Sequence, residues 1–392
     1  MLQCPFFCAL MAMSNDSKNV SRLCSLLSFG PSRGKRNDFL IQSPWDEEQA
    51  LKHQAMHQLG KLYRPNEPLF LIIDDSKKAK RGKHVEAVLE VFDLSAKQFI
   101  TGHPFVTATL YYRGITIPFA IRLYLNRKGA KALKKSFKKL TTLAVEIIED
   151  LQLPEDFKAE IYTLVDSYYF NQPVLKAAKA KNFFVIGATK KNRNLLIRGR
   201  KSKLGVYMHN LFKRETQKTA TVQTQKGKRR YHYVSNTYTV SKIPDPVKIV
   251  FSKRGNQKKI LGIACTDLRL PASLIILYYT FRWTIEVWFK QAKQHLGLGA
   301  LHRIRWEGVV KHLHLSACAF GLLTHLALAS EKEKSKILHA ASSVLPARSE
   351  LRDLFFEDAI DYFIDEELHQ KPSGDMVRLK KFLCQNECKT TA

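Results

Sequence analysis

Neither proline nor glycine interrupts the chain between Ala272 and Leu296, and the apolar positions there recur with a helical period. At about 100° per residue, Leu274, Phe281, Ile285, Trp288, Phe289, Ala292 and Leu296 share one broad face, which predicts a single core helix. Tyr279, Arg282, Glu286 and Lys293 are offset by 3, 4 and 7 residues and fall within roughly 60° of one another beside that face. Earlier, residues 69–73 form a short aliphatic run ending in Asp74-Asp75-Ser76, the pattern of a buried strand with acids at its C-terminal end. Residues 105–112 and 115–124 are joined by Arg113-Gly114 and predict a hairpin. A helix over 131–151 precedes a strand over 159–165 that also ends in an acid, Asp166. A helix over 173–181 leads to a strand over 183–188, followed by Thr189-Lys190-Lys191-Asn192-Arg193. Residues 195–266 are basic and strand-like, with turns at Gly205, Gly227 and Arg254-Gly255, and predict an inserted β region without a helix. Residues 309–329 are a second apolar helix, and the tail has a helix near 348–368. Near the start, residues 45–62 are helical, with Ser43 as N-cap and Pro44 in the first position.

The pattern predicts an α/β fold with a mixed sheet. It divides into an N-terminal helical arm (1–67), a first core part (68–193), a basic β insertion (194–267), a second core part with the Glu286 helix (268–330) and a helical tail (331–392).

Charge sharpens this picture. The 392 residues carry a formal net charge of +29, which calls for a polyanionic partner, with nucleic acid foremost and a ribosomal or membrane-surface role as the alternative. Residues 171–260 hold 23 Lys/Arg against 2 Asp/Glu, whereas residues 349–370 are acidic. The seven cysteines are odd in number and scattered, as expected for reduced thiols in the cytosol, and no neighbouring histidine completes a zinc set. The opening segment lacks the basic start of a signal peptide, and no run reaches membrane-spanning length.

The chemistry lies in three acids. If the first and fourth strands are neighbours, Asp74 and Asp166 converge, and a helix laid across the sheet adds Glu286. Three such carboxylates repel unless cations bind them, and oxygen-only ligation suits Mg²⁺, with Mn²⁺ as a substitute. Two such ions serve phosphodiester cleavage, and surrounding Lys and Arg hold the phosphates. Lys190 and Arg193 lie past a central strand end and are candidates for phosphate contacts. Lys77, Lys78, Lys80, Arg81 and Lys83 line the DNA path or form a solvated loop. His84 and His103 are structural rather than ligands, because a hard-cation site has no need of imidazole. Trp288 is core, while Trp283 either stacks on a base or packs against the insertion. Arg303 and Arg305 either touch DNA or form helix-terminal salt bridges, and His312 and His314 are core or cap residues.

The spacing Tyr279-x2-Arg282-x3-Glu286-x6-Lys293 resembles the Tyr-Arg-Glu-Lys signature of bacterial DDE transposases of the insertion sequence four group. The flanking CTDLRLPASLIILYY and KQHLGLGALHRIR resemble the same context, and LIIDDS and LVDSYYF resemble the first and second acid motifs. The likeness runs from about Leu69 to Leu326. It implies a ribonuclease H-like mixed sheet with helices on both faces and a β insertion before the catalytic helix. It further implies metal-dependent cleavage at transposon ends and joining of the free 3′ hydroxyl to target DNA, without a covalent protein–DNA intermediate. By this resemblance Asp74, Asp166 and Glu286 bind two metal ions, and Tyr279, Arg282 and Lys293 contact phosphates. The partner is double-stranded DNA, held by a homodimer in the bacterial cytoplasm, with no membrane. Asp75 competes with Asp74 as the first acid; Asp74 is favoured because it lies two residues before Ser76. The N-terminal part is short for an end-recognition domain, so a truncated or inactive DNA-binding descendant is the alternative expectation.

Overall fold

The computed structural model describes residues 33–79, 86, 88–93, 97–224, 227–299 and 305–329. The basic residues Lys80, Arg81 and Lys83, together with His84, Arg303 and the tail helix expected near 348–368, lie outside them, as does the side chain of Lys78. The chain divides into two compact units: Leu51–Lys80 with Ala87–Lys290, and Met1–Ala50 with Arg81–Glu86 and Gln291–Ala392.

The first unit is built on a mixed, mostly antiparallel sheet. At its heart is β1 (Leu69–Ala79), where Leu69 to Ile73 are all buried. A run without polar alternation suits a strand covered on both faces. β1 pairs antiparallel with β3 (Gln98–Tyr112) and parallel with β5 (Ile161–Val165), which pairs parallel with β6 (Phe184–Ala188). The sheet continues through β12 (Leu261–Cys265), β11 (Val247–Arg254), β10 (Gly227–Val240), β7 (Asn194–Ile197) and β8 (Arg200–Lys203). β9 (Lys218–Thr224) joins the first half of β10. β2 (Leu89–Asp93) and β4 (Ile115–Leu123) share the outer edge of β3. Arg113 and Gly114 both adopt positive φ (48° and 85°), as the tight turn between β3 and β4 demands. Pro118 sits at a register shift in β4, an edge position that tolerates its missing N–H.

Helices cover both faces. α7 (Ala272–Phe281) sets Tyr278 and Phe281 against Phe70, on the face that Asp74 shares. α4 (Leu140–Asp150) packs against α5 (Gln172–Ala180) and holds Arg122 from the opposite face through Glu146 and Asp150. In the second unit α1 (Arg33–Ile41) packs on α9 (Trp306–Ala329), where Lys311 donates to the Ser43 carbonyl and lies over the Trp45 ring. His312 bonds the Gly297 carbonyl and His314 the Val310 carbonyl, the structural roles expected of them. No helix among the described residues is long and apolar enough to cross a membrane.

Several elements differ from the sequence expectation. The helix expected over 131–151 is two helices, α3 (Arg127–Ala132) and α4. Lys134 takes positive φ, and like charges at 134/138 and 135/139 disfavour a continuous turn there. The region 195–266 contains a helix after all, α6 (Leu204–Arg214), which buries Leu204, Met208, Leu211 and Phe212 at helical spacing; Gly205 is therefore helical, not a turn. α2 (Glu47–Leu62) begins later than expected, because the Asp46 carboxylate, rather than Ser43, accepts from the Gln49 N–H at 2.9 Å. β2 had no expected counterpart. The predicted helix over 272–296 breaks at Arg282 into α7 and α8 (Trp283–His295). There the Arg282 and Ile285 amides bond three residues back, and the Thr280 and Thr284 hydroxyls take up the Leu277 and Phe281 carbonyls.

Gly187 of β6 lies opposite Val165. A Cβ on it would come within 2.6 Å of the Phe170 ring and 2.8 Å of Val165. Gly187→Ala is expected to destabilise the protein by about 1–3 kcal/mol through overpacking, read by denaturant unfolding. A loss under ~0.5 kcal/mol would show that Phe170 yields freely.

Candidate active site

The parallel register of β1 and β5 fixes the centre of the site. Ile73 lies opposite Val165, so the residues that follow, Asp74 and Asp166, leave adjacent strands at one level and on one face. Beyond this point the strands diverge. β1 runs on against β3, with Asp74 opposite Thr107, so the acid lies within the strand rather than at its end. β5 stops, and the Asp166 carboxylate shapes the following turn by accepting from the Tyr168 and Tyr169 amides at 2.8 and 3.1 Å.

The break between α7 and α8 delivers the cation. Arg282 donates through Nη1 to Asp74 at 2.8 Å and through Nη2 to Glu286 at 2.6 Å. Both arms are shielded: the side chains of Arg282 and Asp74 are 16% and 17% exposed, against 34% for Glu286. Burial opposes the Arg282 charge, yet Tyr279, Asp74 and Glu286 together hold its pKa above the ordinary value. Burial likewise raises the Tyr279 phenol, with Arg282 pulling it back and Asp166 adding to the rise.

Burial pushes the Asp74 carboxyl up to about 7; Arg282 works against that, and Asp166 and Asp75 add to it. Although Asp75 is exposed as a whole residue, desolvation also raises its carboxyl, which accepts from Tyr169 Oη at 3.1 Å. Asp74 thus meets Arg282, and Asp75 meets Tyr169.

The donor set fits a divalent cation in kind. It is all carboxylate oxygen, and its crowding is what a hard cation relieves. Among the described residues, however, no group of three or more His, Cys, Asp or Glu side chains stands ready around one metal position. Arg282 instead lies between Asp74 and Glu286 and bonds both.

The other expected residues divide. Lys190 is exposed, with its ammonium 5.3 Å from the Tyr168 ring centre. Arg193 donates to the Phe170 carbonyl, which steadies the turn after Asp166. Lys293 lies on α8 two turns beyond Glu286 and is half-buried. Trp288 is buried, as the apolar face predicted, and Trp283 is 56% exposed. His103 is buried in β3. Tyr169, Phe170 and Gly187 went unforeseen; the aromatic run directly after Asp166 was the available signal.

Carboxylates at one level on adjacent parallel strands, faced by a helix bearing Arg and Glu, define an acid site suited to phosphodiester chemistry. Residues 2–232 match the family model of the DDE superfamily endonuclease, and the chain belongs to that family. The match takes in Asp74, Asp75 and Asp166 and ends before the Glu286 helix. Membership makes the chain a transposase-type nuclease with DNA as its substrate class, and such enzymes generally use divalent metals. No curated protein matches the chain.

Because the Asp74 carboxyl is raised from its ordinary 3.8 to about 7, the folded state binds its proton more tightly than the unfolded state. The contribution of this group to metal-free stability is therefore greatest at acid pH and falls as pH rises between about 4 and 7. Urea unfolding of wild type and Asp74→Asn across that window should show the fall in wild type and a flatter profile in the variant. Parallel profiles would contradict the assignment.

Proposed function

We propose that this chain is a DNA transposase of the insertion sequence four type, cleaving transposon ends and joining the free 3′ hydroxyl to target DNA. The observation that carries the reading is the meeting of Asp74, Asp166 and the Arg282–Glu286 pair from three segments distant in sequence. The order β4-β3-β1-β5-β6 supports a ribonuclease H-like core, with the strands after β6 as its insertion. In this reading Asp74, Asp166 and Glu286 hold two divalent ions, Mg²⁺ or in its place Mn²⁺. When bound, such ions supply an activated nucleophile and charge stabilisation at the leaving oxygen.

The chain's own residues do the rest. Arg282 neutralises Asp74 and Glu286 in the metal-free protein; once released from them, its planar fork suits a DNA phosphate. Tyr279 beside it orients the guanidinium. Lys190 and Lys293 neutralise phosphates, and Arg193 acts on Asp166 through the Phe170 carbonyl. The active species is a homodimer on double-stranded DNA in the cytoplasm.

The Arg282 bridge also favours a second reading, a transposase-derived DNA-binding protein whose acids are permanently clamped. Two measurements separate them. Cleavage of the element's own ends in Mg²⁺ should fall below detection in Asp166→Ala and Glu286→Ala while duplex binding persists; equal cutting by these variants would refute the catalytic reading. Manganese binding followed by calorimetry without DNA should tighten in Arg282→Gln, roughly ten-fold if the competition is worth an ordinary coupling energy of ~1–3 kcal/mol. Unchanged or weaker binding would mean that Arg282 does not compete with the metal.

A further inference from the structure

The three-stranded ribbon β9–β10–β11 presents two unlike faces. In β9, Ala220 and Val222 are buried, while Thr219, Thr221 and Gln223 between them are exposed, and the strand packs against α7. Register carries the division across the ribbon. Lys228 lies opposite Gln223, Arg230 opposite Thr221, and His232 opposite both Thr219 and Lys253. Directly opposed residues share a face, so Lys228, Arg230, His232 and Lys253 stand on the outer face among hydroxyl and amide side chains. The alternate row, with Arg229 and Tyr231 opposite Val222 and Ala220, faces the other way. Asp245 is the one acid between Lys218 and Arg254, and it is paired with Lys179, so no carboxylate of the ribbon offsets this charge.

We propose that the outer face of this ribbon, through Lys228, Arg230 and Lys253, is a docking surface for the phosphodiester backbone of duplex DNA. The proposal rests on the functional reading above and extends it to a surface away from the acids. A protein partner would need an exposed apolar centre; further along this row Val234 and Tyr238, opposite Phe251 and Val247, are buried, and the exposed part carries polar side chains. The dimensions suit a backbone. Residues 228 to 232 span about 14 Å of strand and the three strands about 10 Å, and one DNA strand places a charge every ~3.4 Å of axis. The hydroxyls and amides of Thr219, Thr221 and Gln223 add hydrogen-bond donors that phosphate oxygens accept. Such contacts position DNA without reading its sequence.

The test is the salt dependence of binding to a labelled duplex of arbitrary sequence, measured by anisotropy with the full chain between about 50 and about 200 mM KCl. Each lost phosphate contact removes ~0.9 from the slope of log K against log salt. The triple variant Lys228→Gln/Arg230→Gln/Lys253→Gln should therefore lose roughly 2.7 from the slope and bind more weakly on every sequence tried, with wild-type thermal stability. The alternate-row variant Arg229→Gln/Arg254→Gln should keep the wild-type slope. Wild-type protein that binds no duplex would sink the functional reading itself. Steep wild-type salt dependence with an unchanged slope in the triple variant overturns the ribbon assignment alone. An equal loss in the alternate-row variant overturns the choice of face.

Discussion

Everything at the centre of this molecule depends on how repulsion among carboxylates is contained. The parallel pairing of β1 with β5 sets Asp74 and Asp166 side by side, and burial already disfavours the charge of Asp74. Left alone, that arrangement would favour protonation or separation of the strands. Arg282 counters it, with two arms that bond Asp74 and Glu286. The same guanidinium joins sheet to helix, so the electrostatic remedy is also the tertiary contact that seats α8 over the acids. The chain departs from regular helix geometry at this same residue, where the Thr280 and Thr284 hydroxyls take up the Leu277 and Phe281 carbonyls.

A second layer holds the first in place. The Asp166 carboxylate caps its own turn, and Arg193 fastens the carbonyl of Phe170 at the end of that turn. The Phe170 ring lies over Gly187, where no larger residue fits without displacement. A strand-end lysine/arginine cluster that reads in sequence as uniformly phosphate-binding thus contains two roles, an exposed Lys190 and an inward Arg193. Length and local geometry separate them, because Arg193 is within reach of a carbonyl that needs a donor.

The charge distribution separates tasks in space. Acids are concentrated where β1 and β5 part, while the ribbon from β9 to β11 carries cations with almost no compensating acid. A molecule that must bring a polyanion to a negatively charged centre needs the attraction located elsewhere. The division between a half-buried acidic centre and an outward basic sheet face meets that need.

Much of this was legible in the residues themselves. The aliphatic runs before Asp74 and Asp166 read as strands because continuous burial leaves no polar alternation. The Arg113-Gly114 turn was legible from its left-handed requirement, and the stripe of Tyr279, Arg282 and Glu286 from helical spacing. The sequence also held a helix that strand-like composition concealed, over Leu204–Arg214. What local pattern did not contain was pairing. Whether Asp74 or Asp75 would meet the helix depended on which face of β1 turned toward α7, and one residue of register reverses that. That Arg282 would lie between two of the three acids depended on a helix break and on a partner 208 residues away. Sequence by itself determined the kinds of element and the chemical types available at the site. The tertiary structure decided which of those groups face one another, because register and packing act between segments whose local sequences carry no record of each other.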